Sequence, residues 1–192
     1  LITSGYQAQK FNNNLIEGLS HQTRVVSLSA LTYIDKHAER MEETSDNTRY
    51  ICIENHRGKL RKFYNINRLI REGHKIIRDE RPEYILCDAV SPPLALTALY
   101  LSRKYKIPAV AIVTDLPEAV HDGYMNVYMR IDAWCMKKFS AYILITAQMN
   151  EIVNTKHRPY IVMEGSVGAA PAPREEGKST VCIYSGAIGK NQ

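Results

Sequence analysis

No apolar run in this 192-residue sequence is long enough to cross a bilayer. The longest, such as Ala109 to Val113 and Ala141 to Ile145, fall far short of the roughly 20 residues that a spanning helix needs. The sequence as given opens with no secretory signal pattern. Cysteine is scarce: Cys52, Cys87, Cys135 and Cys182 include no CxxC pair and none at zinc-ligand spacing from a histidine. Three of the four sit inside strand-like runs, where cysteine acts as a small hydrophobe, so free buried thiols suited to a reducing compartment are expected. Also missing are a GxGxxG fingerprint, a nucleophile elbow, an internal repeat and a low-complexity tract. The six scattered histidines pair with no candidate nucleophile, so hydrolase chemistry has no support.

What is present is a repeating alternation. Seven strand-like runs, Arg24–Leu28, Tyr50–Ile53, Tyr84–Cys87, Ala109–Val113, Ala141–Ile145, Tyr160–Met163 and Val181–Tyr184, are separated mostly by segments of helical period. Several are apolar without alternation, as strands are when helices cover both faces of their sheet. Ala8, Phe11, Leu15 and Leu19 share a helical face, as do Phe63, Ile66, Ile70, Gly73 and Ile77. Ala98, Leu101 and Tyr105 form a third such face, and Val127, Ile131, Trp134 and Cys135 a fourth. Pro82 and Pro108 punctuate the second and third helices. The pattern predicts an α/β fold, a doubly wound parallel sheet with right-handed crossovers. Leu1-Ile2-Thr3 reads as the end of a first strand. Residues 1–166 make a Rossmann-like domain, 167–179 have linker composition, and a fresh strand at Thr180 starts a second domain.

In such sheets ligands gather beyond the carboxyl ends of the strands. The first loop there holds Ser4, Gly5, Tyr6 and, in the following helix, Asn12, whose setting at a helix start suits an anion or sugar hydroxyls. The second, Asp88 to Pro93, has Ser91 and Pro92 as helix cap and first-turn proline. The third, Thr114-Asp115-Leu116-Pro117-Glu118, follows an apolar strand directly. Its two carboxylates can hold a polyol, and Asp115 can serve as a general base toward a hydroxyl; a capping Asp with a surface Glu is the structural alternative. The net charge of +5 concentrates between Arg57 and Arg78. There Arg68, Arg71, Lys75 and Arg78 form a stripe roughly opposite Ile66, Ile70 and Ile77. A solvated face explains it most simply; an anionic membrane surface is the next reading. Nucleic acid is not expected, because no recognition motif accompanies the charge.

Four stretches, in order, resemble the bacterial group 1 glycosyltransferases of exopolysaccharide and capsule synthesis. These are Ile112 to Glu118, Tyr142 to Met149, Pro159 to Gly165 and Ile183 to Ile188. The resemblance covers about residues 80–190. It implies a retaining, metal-independent enzyme of the GT-B fold, in which two Rossmann-like domains face a cleft. This chain would be the acceptor-side half, truncated before most of the second domain and without turnover alone. Asp115 would be the catalytic residue, and Gly5, Tyr6, Asn12, Ser91, Thr114 and Glu118 would contact the acceptor. Glu164, Gly186 and Lys190 would meet the nucleotide-sugar donor, and no cofactor is expected. A hinge between Gly165 and Pro173 would close the cleft, on the cytoplasmic side of a membrane. Relatives carry His near Thr114 or Asp115 and Arg where this chain has Ala187. A UDP-sugar epimerase of the same two-domain architecture, or a non-catalytic domain that kept the fold, are the alternatives.

Overall fold

A computed structural model describes residues 2–3, 10–30, 41–45, 47–53, 61–116 and 127–165. The expected strand at Val181–Tyr184, the linker 167–179 and the second domain lie outside the described residues. Within them the chain runs β1 (Ile2–Thr3), α1 (Lys10–Ser20), β2 (Val25–Ala30), β3 (Met41–Ser45), β4 (Thr48–Ile53) and α2 (Arg61–Glu80). It continues through β5 (Ile85–Asp88), α3 (Pro92–Tyr105), β6 (Ala109–Val113), α4 (Val127–Met136), β7 (Ala141–Leu144), α5 (Gln148–Val153) and β8 (Tyr160–Val162). The sheet order is β3-β4-β2-β1-β5-β6-β7-β8. Every neighbouring pair is parallel except β3 with β4. This is a doubly wound α/β sheet, as the alternation of the sequence predicts.

The departure is β3. Met41-Glu42-Glu43-Thr44-Ser45 is too polar to read as a strand, yet it pairs antiparallel with β4 as an edge hairpin, Ser45 facing Thr48. A hydrogen-bonded edge needs no buried face, and its glutamates discourage further pairing. At the opposite edge, β8 is a strand as expected but is not buried: Ile161 is 58% exposed.

Strand alternation divides the core. Cys87, Ala111, Val113, Tyr142 and Leu144 pack with Leu69, Ile77, Leu94, Ala98, Leu101 and Cys135. On the other face Ile112 and Ile143 meet Leu15, flanked by Phe11, Leu19, Leu86 and Val110. Two helical faces differ from the pattern read in the sequence. In α2 the buried line runs through Leu69, Gly73 and Ile77, while Ile66 and Ile70 are half-buried. In α4 Ile131 and Trp134 are exposed, Trp134 at 54%, and the inner face is Met129, Asp132, Cys135 and Met136. A buried acid in that face disguised its period. Cys52, Cys87 and Cys135 are buried free thiols, as expected.

The helix ends follow their punctuation. Helix α2 stops at Glu80, with Arg81 in the left-handed region at φ 47° before Pro82. Helix α3 starts with Ser91 at its N-cap and proline in its first turn, and ends on left-handed Lys106 two residues before Pro108. Buried Asn154 fixes the last crossover. It accepts from the Arg158 N–H at 2.7 Å and donates to the Arg158 carbonyl at 2.8 Å.

Candidate functional site

The strand order reverses at β1: the chain proceeds from it to β2 and β4 on one side, then returns to β5 on the other. A doubly wound sheet opens a crevice at this switch point, beyond the carboxyl ends of the two diverging strands. Asp88, the last residue of β5, stands at it. Its side chain is turned inward, 4% exposed, and its Oδ1 accepts the Val90 N–H at 3.4 Å. That local bond bends the chain into α3, while the Ala89 N–H donates to the Ile112 carbonyl at 2.9 Å and holds the turn to β6.

The expected site residues that fall in the described regions share this edge. Asn12 lies in the first turns of α1, two residues after its start, and is buried. Ser91 is half-buried at the N-cap of α3; its carbonyl accepts from Leu94 and Ala95, but its hydroxyl makes no capping bond. That corrects half of the capping expectation: the position is right and the side-chain bond is absent. Thr114 and Asp115 follow β6 directly, Thr114 half-buried and Asp115 exposed. Glu164, exposed, follows β8 by two residues. Gly5, Tyr6, Glu118, Gly186 and Lys190 lie outside the described residues, as does the hinge beyond Gly165.

Asp115 stands in water at the end of a strand whose last three residues, Ala111, Ile112 and Val113, are fully buried. A short strand with both neighbours paired is a rigid mount, which is what a binding or proton-transferring group needs.

A second acid was not foreseen. Asp132 of α4 is 5% exposed, and its Oδ1 has no hydrogen-bond partner among the described residues. Burial, and then the charge of Asp88, push its pKa from 3.8 up to about 7. Asp132 therefore holds its proton across most of the acid range, next to an Asp88 that a backbone amide stabilises. Burial and Asp132 in turn push the Cys135 thiol up to about 11, and burial also raises Cys87 well above its ordinary value. Neither thiol is a thiolate at neutral pH, which removes cysteine nucleophilicity from this site. Because both acids are sealed, they suit holding the α4 face and the switch-point turn in register rather than touching a ligand. The signal in the sequence was the spacing Met129, Asp132, Cys135 and Met136, one face of a helix with a single acid in it.

Among the described residues no group of three metal-ligating side chains comes together. A cavity of about 450 Å³ is present, but at the opposite, amino edge of the sheet. His74 packs edge-on to Tyr100 and Tyr105 between α2 and α3. Its Nδ1 lies 2.8 Å from the Tyr105 hydroxyl and its Nε2 3.4 Å from Lys104 Nζ.

No protein-family model matches the chain, and no curated protein sequence matches it. Among solved structures it is similar to an α,α-trehalose-phosphate synthase (UDP-forming) from Burkholderia vietnamiensis, at 11% identity and a TM-score of 0.44. That match covers 79% of this chain and 40% of the synthase chain. The chain thus spans less than half the length of the protein it matches.

Proposed function

We propose that this chain is the acceptor-binding half of a glycosyltransferase that moves a hexose from a nucleotide sugar to a saccharide or lipid-linked acceptor. The observation that carries the reading is Asp115. It is exposed two residues beyond the end of β6 at the carboxyl edge, within the stretch Ile112 to Glu118 that resembles the group 1 enzymes. Ser91 and Thr114 stand on neighbouring loops of that edge. A carboxylate there accepts hydrogen bonds from sugar hydroxyls, each charged bond contributing about 1.5–3 kcal/mol. From the same position it can take the proton of an attacking hydroxyl.

In this reading Gly5, Tyr6, Asn12 and Glu118 complete the acceptor side, while Glu164, Gly186 and Lys190 face the donor. The enzyme works at the cytoplasmic face of a membrane in surface polysaccharide synthesis. No helix among the described residues is long and apolar enough to cross one.

Amide NMR titration of the chain tests this. Soluble oligosaccharide acceptors should shift the Ser91, Thr114 and Asp115 signals, and Asp115→Asn should weaken binding tenfold or more with the melting temperature nearly unchanged. Shifts confined to other edges, or unfolding on Asp115→Asn, would remove Asp115 from the site.

A further inference from the structure

Strand β8 ends the sheet and has a partner on one side only, β7. Its peptide groups alternate in direction. The Pro159 carbonyl accepts the Tyr142 N–H at 3.0 Å, and the Met163 N–H donates to the Leu144 carbonyl at 2.7 Å. Pro159, Ile161 and Met163 therefore turn their peptide groups toward β7, and Tyr160 and Val162 turn theirs outward. Among the described residues nothing meets those outward groups.

The side chains suit an edge that takes a partner. Tyr160, Ile161 and Val162 are 47%, 58% and 40% exposed. Successive residues of a strand face opposite sides of its sheet, so neither face of β8 is covered. All three residue types favour strands. The far edge of the sheet, β3, carries Glu42 and Glu43, charges that deter pairing, whereas β8 itself carries none. Its charges stand just outside it, Arg158 before and Glu164 after. Both are exposed, and neither belongs to an ion pair among the described residues.

We propose that β8 is a dimerisation edge, which pairs antiparallel with β8 of a second copy of this chain about a two-fold axis at Ile161. The register follows from which groups are free. Antiparallel residues that exchange both peptide bonds must both point outward, and within β8 those are Tyr160 and Val162. Tyr160 of each copy then faces Val162 of the other, and Ile161 meets Ile161 on the axis as the pair without hydrogen bonds. This register also sets Arg158 opposite Glu164 at both ends of the ladder. The edge is thus its own complement in bonds and in charge, as an isologous interface requires. A slip of two residues one way would need the peptide groups of Arg158, and Asn154 already holds both of them. A slip the other way would set Tyr160 against Glu164 and leave Arg158 unmatched. A contact built on so short a strand lies at the small end of specific interfaces, so the dimer is reversible.

Sedimentation equilibrium of the full chain from roughly 5 to 200 μM, where small interfaces dissociate, should show monomer and dimer in exchange. Arg158→Glu and Glu164→Arg each turn both end attractions into repulsions and should weaken association about tenfold. Mixing the two single variants, or joining both changes in one chain, should restore it. Ile161→Lys sets two cations on the axis and should abolish the dimer with the melting temperature nearly unchanged, since the position is exposed. The Tyr160 and Val162 amides should exchange freely in dilute solution and slowly in the dimer. A chain that stays monomeric across the range overturns the proposal, and so does association indifferent to the charge exchange. Protection of those two amides in the dilute monomer also overturns it, because the edge would then be covered by the chain itself. The glycosyltransferase reading places Glu164 toward the donor, so association is measured without nucleotide sugar, and its failure leaves the Asp115 edge untouched.

Discussion

Asp132→Asn keeps the shape of a buried side chain and removes the only charge it can take. In the folded protein the acid titrates near pH 7 against an ordinary value of 3.8, so the folded state binds its proton more tightly than the unfolded one. The sign is therefore fixed. The stability this group contributes is fully present below about pH 4 and is lost as pH rises through 7. A shift of that size corresponds to about 4 kcal/mol at 1.36 kcal/mol per unit, a ceiling that local relaxation lowers toward about 2. Asn cannot ionise, so at pH 8 the variant should be more stable than the parent by about 2–4 kcal/mol, on the order of 10 °C in melting temperature. At pH 4 the two should melt alike, or the variant slightly lower if its amide N–H groups find no acceptor. Thermal unfolding followed by circular dichroism from pH 4 to 8 gives the comparison directly. A variant less stable at pH 8, with the same difference at pH 4, would mean that Asp132 is charged and paired in the fold. The reasoning from its bare Oδ1 would then be wrong.

Two further outcomes follow from the surface. In α2, Arg71, Lys75 and Arg78 are exposed but Arg68 is half-buried; Lys75 is paired with Glu72 at 2.8 Å, and Arg78 Nε donates to the His74 carbonyl. The stripe is thus weaker than its sequence suggests, and the chain should sediment with phosphatidylglycerol vesicles only at low salt, lost as the Debye length shortens to about 8 Å at physiological ionic strength; equal binding to neutral vesicles would assign any attachment to apolar contact. Burial, then the charges of Lys104 and Arg78, lower the pKa of His74, so the unfolded chain takes that proton first and stability drops as pH falls below about 6.5. His74→Gln should flatten that acid limb in the same melts, and an unchanged slope would place the titration elsewhere.

The parallel sheet was legible because its central strands are apolar on both faces, and Ala109–Val113 was read with the boundaries it has in the fold. Runs at strand ends were less exact: Tyr84 belongs to the approach and is exposed, and β5 begins at Ile85. What escaped reading were elements whose stability is not hydrophobic. Strand β3 rests on backbone pairing to β4 and on the Arg49–Glu42 contact at 2.6 Å, with Arg49 also reaching Glu80 of α2 at 3.2 Å. Period alone finds no such strand. The carboxyl-edge loops were located by position in the fold, since each follows a strand. Asp132 was missed because an acid on an inner helical face is counted as polar and turns the apparent face of α4 toward Trp134. Burial decided the matter, and burial is not in the letters.

The β3–β4 hairpin also sets an order of events. Ser45 and Thr48 meet across two intervening residues, whereas Ile2 must find Cys87 across most of the domain. The entropy of closing a loop rises with its length, and hairpins form within about 1–10 μs. Of the pairings described, this polar edge is the one the chain can make before any core exists. The parallel pairs wait on crossovers, and of the pairings described β1 with β5 closes the widest loop. A newly made chain therefore carries a formed but unanchored edge while its centre is still open. Glu42 and Glu43 keep that early edge charged during the interval when a bare strand is most exposed to its neighbours.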